Sequence, residues 1–180
     1  MIAQDDPRHR QQRMLVQGEL TGASVAQRQE QVDSLVGELL DGMAAKNEAE
    51  LIDEFSGQLP ARLTCRLLGF PETMWREVKS WSERLMRTDM RERDSEVFRD
   101  FIDANMEFVS ALMPIAQERA ACPAHDFIST WVHAEIDGQP LPPATIVHEV
   151  GLFIAGGAET TRTAITHGLR AFAANPDQWE

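Results

Sequence analysis

An all-α fold, mainly helical throughout, is what this sequence predicts, and three observations carry it. Apolar residues recur at helical spacing in separate stretches; Val25, Val32, Leu35, Val36, Leu39, Leu40 and Met43 show it most clearly. Glycine and proline steps divide these stretches where helices stop and start, as at Gly69 with Phe70-Pro71, at Cys122-Pro123 and at Asn175-Pro176. Finally, no proline interrupts the run from Thr145 to Ala174, which at about 1.5 Å per residue makes a helix of roughly 45 Å. That is long enough to cross a domain. No internal repeat, low-complexity tract or linker appears, so residues 1–180 read as one helical unit.

Composition narrows the function. The 29 acidic against 17 basic residues give a formal charge of −12, which argues against a nucleic-acid partner, since phosphate binding needs a basic face. Two cysteines, Cys65 and Cys122, are too few for a disulfide framework and agree with a reducing, cytoplasmic setting. No window approaches the 18 or so apolar residues of a membrane span, so none is expected.

Taken in order, Asp5-Asp6-Pro7 starts a first helix that ends near Gln17, with acidic residues at the cap and proline at its first position. His9 and Arg13 are four apart on it and share a face. Spacing alone leaves them either a solvated basic helix end or a pair donating to one anion. One helix is expected from Val25 to Ala45, and another from Leu51 to Leu68 with Cys65 as a buried small hydrophobe. Glu72 to Arg87 follows as a helix, with Trp75 and Trp81 on different faces. Asp89 to Asp94 alternates in charge sign and reads as a solvated loop. Ser95 to Ala121 is a long helix that Pro114 should kink. Asp126 to Ala134 is short, and Ile136 to Pro143 is a turn-rich connection.

The long helix that follows carries the chemistry. Gly156 and Gly157 interrupt it, each costing about 1 kcal/mol against alanine in a helix interior. Such a cost implies a use: a dent where a ligand nears the backbone, or close packing against another helix. Thr160 can donate from its hydroxyl to the Gly156 carbonyl one turn back. On an ideal helix Phe153, Gly156, Gly157, Thr160 and Ala164 share one arc, with Leu152 and Thr163 at its edge and Glu159 on the flank. A small, apolar arc bearing hydroxyls suits a flat cofactor or apolar substrate, and a flanking carboxylate can move protons.

Other chemistries fail on spacing. His148-Glu149 opens a zinc-protease signature whose second histidine would fall on Leu152. Cys122 and His125 lack a second ligand pair. No metal ligands are therefore assigned. There is no Gly-x-Ser-x-Gly elbow and no phosphate-binding loop.

Gly156-Gly157-Ala158-Glu159-Thr160-Thr161 resembles the oxygen-binding I-helix motif of the cytochrome P450 haem-thiolate monooxygenases, with Glu for the commoner Asp. Further segments match in order. Asp6-Pro7-Arg8-His9 with Arg13 is similar to the C-helix signature of bacterial members, Leu67 to Pro71 to the end of the E helix, Asp126 to Ser129 with Asp137-Gly138 to the lead into the I helix, and Asn175 to Gln178 to the start of the J helix. The resemblance covers essentially the whole chain and implies a partial P450 fold with the I helix near the C-terminus.

It also implies roles. Thr160 becomes the hydroxyl that stabilises bound dioxygen and helps protonate it, and Glu159 the acid of the proton path. Gly156 and Gly157 become the groove for oxygen and haem b (iron protoporphyrin IX), His9 and Arg13 the propionate ligands, and Leu152 and Ala155 substrate contacts. The implied reaction is hydroxylation of an apolar small molecule with O2 and electrons from a ferredoxin-type partner. Arg162 to Phe172 looks most like members acting on sterols and branched lipids. The family's Glu-x-x-Arg pair and thiolate cysteine lie beyond the J helix, and neither Cys65 nor Cys122 has a matching context. The expectation is thus an internal fragment of a roughly 400-residue enzyme, beyond the usual single-core size, inactive alone because the thiolate that tunes haem is absent. The alternative is a non-catalytic helical binding module.

Overall fold

The computed structural model describes Met1, residues 4–87 and residues 95–179. The connection read as a solvated charged loop, Asp89 to Asp94, lies outside the described residues.

Helix α1, Arg8–Gln17, begins directly after Asp6-Pro7, and Asp6 Oδ1 accepts from the Arg10 amide at 3.2 Å. It buries Gln12 and Val16. The single helix expected next is two, α2 (Gly22–Gln27) and α3 (Gln29–Ala44), broken at Arg28. There the backbone stays right-handed at φ −95°, ψ 0°, but its amide turns to the Val25 carbonyl three residues back, while the guanidinium donates to the carbonyls of Glu19 and Ser24 and pairs with Glu19. Side-chain bonds back to the preceding loop outweigh one more turn of continuous helix.

Helix α4, Gln58–Leu68, is preceded by a π turn at Ile52–Ser56. Pro60 explains the turn: it has no N–H for the Ser56 carbonyl and its ring crowds that carbonyl, so the chain widens before α4. The Gly57 amide instead reaches the Ile52 carbonyl at 2.7 Å. Gly69 ends α4 at φ 98°, the left-handed conformation a helix terminator favours. A Cβ there would also strike Asp126 at 2.4 Å.

After a 3-10 turn at Glu72–Met74 comes α5, Trp75–Met86, with Trp81 buried and Trp75 half-buried. Helix α6, Glu96–Ala121, is capped by Ser95 and continues through Pro114. Asp126 caps α7, Phe127–Val132, by accepting from the Ser129 amide at 2.7 Å. The connection after it holds a small hairpin, β1 (Glu135–Ile136) antiparallel to β2 (Gln139–Pro140) with Ile136 opposite Gln139. Asp137 and Gly138 both take positive φ, which is the two-residue turn that matches strand twist.

Helix α8, Pro143–Ile154, begins on proline, a residue whose missing N–H costs nothing there. A second π turn, Ala155–Glu159, joins it to α9, Thr160–Ala174. This π turn is wedged between α4 and α5. The main core lies beneath it: Cys65, Leu68, Val78, Trp81, Phe108, Ile128, Trp131, Val150 and Ile154 are all buried together. Burying side chains of this size stabilises by about 1.5–3 kcal/mol each. A smaller cluster of Leu35, Leu39 and Leu59 fastens α3 to the far side, with Ile165 of α9 against it.

Candidate functional site

The dent predicted in the long helix is the π turn. Its wider coil leaves one residue more than an α turn would hold, and the Thr160 hydroxyl donates to the Gly156 carbonyl across it. Threonine earns its place here by supplying a hydrogen bond that the loosened ladder does not.

The two glycines have different surroundings. A Cβ on Gly156 would meet nothing within 4 Å, and the residue is exposed. A Cβ on Gly157 would lie 2.8 Å from Thr64 Oγ1 of α4. The pair divides: Gly156 has room for a side chain and is exposed, whereas Gly157 packs closely against α4. The single arc drawn on an ideal helix changes accordingly. Phe153 turns into the core, edge-on to Phe127 at 4.9 Å and Trp131 at 5.4 Å between ring centroids. Gly156, Thr160, Thr163 and Ala164 remain on the open face, with Leu152 and Ala155 half-buried beside them.

Glu159 does not point freely into solvent. Its carboxylate pairs with Arg162, whose other nitrogen lies 3.6 Å from Glu83. Glu83 in turn pairs with Lys79 at 3.1 Å, and Lys79 with Asp53 at 3.3 Å. The Glu159 hydrogen bond raises the Arg162 guanidinium above its ordinary value, against burial, with Glu83 and Asp53 adding to it. Lys79 also ends above its ordinary value: burial lowers it, and the carboxylates of Glu83 and Asp53 outweigh that. Asp53, Lys79 and Glu83 line a solvent-open cleft of about 740 Å³. The site carboxylate is thus linked by a ladder of charges to open water.

His9 and Arg13 sit on α1. His9 is partly exposed with Nδ1 3.6 Å from Asp6, and Arg13 is exposed with no ion pair among the described residues. Both retain free donors. The residues that the sequence reading missed are Thr64 and Arg162. The second had a local signal, since Glu159 and Arg162 are three apart on a helix; the first meets Gly157 only because α4 crosses there.

No protein-family model matches the chain. Relatives do. Steroid C26-monooxygenase of Rhodococcus jostii is 33% identical over 180 residues, all of this chain and 37% of that protein. Methyl-branched lipid omega-hydroxylase of Mycobacterium tuberculosis is 30% identical over 181 residues, 99% of this chain and 42% of that protein. A solved Mycobacterium marinum cytochrome P450 in complex with pseudoionone superimposes with a TM-score of 0.90 at 27% identity, across 98% of this chain and 44% of that one. The chain belongs to the cytochrome P450 family. As a P450 chain it spans about two fifths of the length of the curated relatives it matches. Its helical architecture agrees with theirs, the hairpin at 135–140 being a small addition to the all-α expectation. Among its described residues no helix is long and apolar enough to cross a membrane.

Proposed function

We propose that this P450 chain forms the oxygen-handling side of a haem-dependent monooxygenase that hydroxylates an apolar small molecule of the sterol, terpenoid or branched-lipid class. One observation carries the reading: the open backbone at Gly156, with the Thr160 hydroxyl bonded to its carbonyl on the same exposed face. A planar macrocycle needs bare helix backbone at the point of approach, and a side chain at 156 would fill it. Haem b, when bound, supplies reductive activation of O2. His9 and Arg13 fit its propionates because both keep free donors on one face of α1.

The chain's own residues then divide the work. Thr160 has its proton committed to the Gly156 carbonyl, so its lone pairs are what the open face meets, and it accepts from a protonated ligand or water. Gly157 serves by packing, seating the turn on Thr64. Leu152 and Ala155 form the apolar wall for the substrate. Glu159 delivers protons, but Arg162 cannot pass one on, because a guanidinium is not deprotonated in proteins. The ladder to Asp53 therefore holds Glu159 in place, and the proton reaches Glu159 through water after its carboxylate turns from Arg162. Electrons come from an acidic ferredoxin-type protein, for which the arginines of α1 offer a basic surface on an acidic chain.

Haem titration tests this. The chain should bind haem saturably, Gly156→Leu should abolish binding without lowering helicity or melting temperature, and His9→Ala with Arg13→Ala should weaken it. The reduced, carbon-monoxide-bound spectrum of the chain alone should lack the thiolate-type Soret band. Haem binding that ignores Gly156→Leu overturns the reading. In a full-length parent enzyme, Thr160→Ala should leave electron consumption and separate it from hydroxylation.

A further inference from the structure

A pair of hydroxyls ties the first π turn to α9, the helix that follows the second. The Ser56 hydroxyl closes the turn at Ile52–Ser56 and lies 2.7 Å from Thr166 Oγ1 on α9. Ser56 is fully buried and Thr166 half-buried. Thr166 donates its own proton to the Arg162 carbonyl at 2.9 Å. With that proton committed, the Thr166 oxygen is free to accept from Ser56. The alternative acceptor for Ser56, the Leu51 carbonyl, is more distant at 3.3 Å. The two hydroxyls are thus bonded to each other, and through Thr166 to the backbone of Arg162.

We infer that Ser56 and Thr166 are positioning residues for Thr160 and Glu159. Arg162 is held twice, at its carbonyl by Thr166 and at its guanidinium by Glu159 and Glu83. Its backbone stands two residues past Thr160. A π turn is a register defect, and a helix leaves it by sliding and rotating the segment that follows. The Ser56–Thr166 bond opposes that slide by fastening α9 to the turn before α4, which the missing N–H of Pro60 itself keeps wide. Thr64, about two turns beyond Ser56, stands where a Cβ on Gly157 would meet it. The segment from Ser56 through α4 therefore holds the functional turn at Gly157 and the helix beyond it at Thr166. The inference rests on the proposed roles of Thr160 and Glu159, but it is tested without haem, so the two readings fail separately.

Amide hydrogen exchange of the whole chain, read by mass spectrometry on the peptide covering residues 152–162, is the measurement. Ser56→Ala and Thr166→Val should each raise exchange in that peptide about fivefold or more, as expected when one buried hydrogen bond is lost. The double variant should add little to either single one, since both remove the same bond. Thr166→Ser keeps the hydroxyl and should exchange like the parent. Ile165→Val trims the neighbouring core residue of α9 without touching the hydroxyls, and should leave residues 152–162 unchanged. If the rise stays within 51–58 and 163–174, or if Ile165→Val produces the same rise, the pair is a structural contact only and the inference is wrong. Should Thr166→Val not fold, Ser56→Ala against Thr166→Ser decides it alone.

Discussion

Gly157 of the functional turn and Thr64 of α4 are so closely apposed that a Cβ on Gly157 would stand 2.8 Å from Thr64 Oγ1, while Gly156 next door would meet nothing. Alanine at the two positions should therefore act in opposite directions. Gly157→Ala forces a stiff, buried threonine or the helix to shift, and should lower stability by about 1–3 kcal/mol. Gly156→Ala has room for its methyl and should raise stability by up to about 1 kcal/mol through helix propensity. Urea unfolding of the two variants measures both. Thr64→Ala should recover part of the loss in Gly157→Ala, giving a coupling term in the double-mutant cycle. Equal shifts of the same sign at 156 and 157 would remove the basis for dividing their roles.

Arg162 is the member of the charge ladder with most to lose. Replacing it with methionine keeps an apolar stem but leaves Glu159 and Glu83, 18% and 20% exposed, without their shared cation. The loss should be about 2–3 kcal/mol, below that of a fully buried pair because water still screens these groups. Glu159→Gln should cost less, since Arg162 keeps Glu83. Lys79 adds a pH signature. Its folded value lies above the ordinary 10.5, so its contribution is complete below about pH 10.5 and disappears as pH rises through the folded value. Lys79→Met should flatten that alkaline limb in urea titrations; an unchanged limb would show that the ladder contributes no linkage.

How far the sequence foretells this structure differs by element. The bounds of α1 and the stop at Gly69 are local matters of cap and turn chemistry, and they appear where the residues place them. The long helix was legible too, and so was the bond from Thr160 to Gly156, because a hydroxyl reaching back one turn depends only on spacing. What escaped is not a matter of spacing. The π turn before α4 and the break at Arg28 arise from Pro60 and from the Arg28 side chain, which a wheel drawn on an unbroken helix ignores, and the inward turn of Phe153 depends on where α7 presses. An ideal 100° wheel cannot show a register defect, so it placed Phe153 and Gly157 on the open face. The hairpin is different. Asp137-Gly138 carries a strong local turn signal, but strands of two residues are too short to show alternation.

Glu72 should dominate acid sensitivity in the segment joining α4 to α5. Its carboxylate accepts from Arg66 at 2.6 Å and from Arg62, while Arg62 also binds Glu38 at 2.7 Å. The Arg66 hydrogen bond, opposed by burial and helped by Arg62, holds the Glu72 carboxyl below its ordinary value of 4.5. A depressed carboxyl stabilises the fold above about pH 4.5 and loses that contribution as pH falls through the lower folded value. Glu72→Gln should cost about 1 kcal/mol near neutrality, given its partial exposure, and its stability should fall less steeply between about pH 4.5 and 3. Urea midpoints across that range measure it; parallel curves for variant and parent would show that Glu72 titrates alike folded and unfolded.

The two cysteines offer a readout of whether α4 stays closed over the site. Cys65 is fully buried directly after Thr64, whereas Cys122 is exposed beyond α6. Burial foremost, then the charges of Glu72 and Glu77, pushes the Cys65 thiol up to about 12. The thiolate is the reactive form, so Cys65 should be inert near neutrality for two reasons, access and protonation. A thiol reagent should count one group in the native chain and two in urea. Thr64→Ala, which loosens the contact over Gly157, should let the second thiol react through local opening, sooner than Gly156→Ala does. If Cys65 reacts in the native chain as fast as Cys122, α4 opens readily and cannot be the rigid support on which the functional turn is seated.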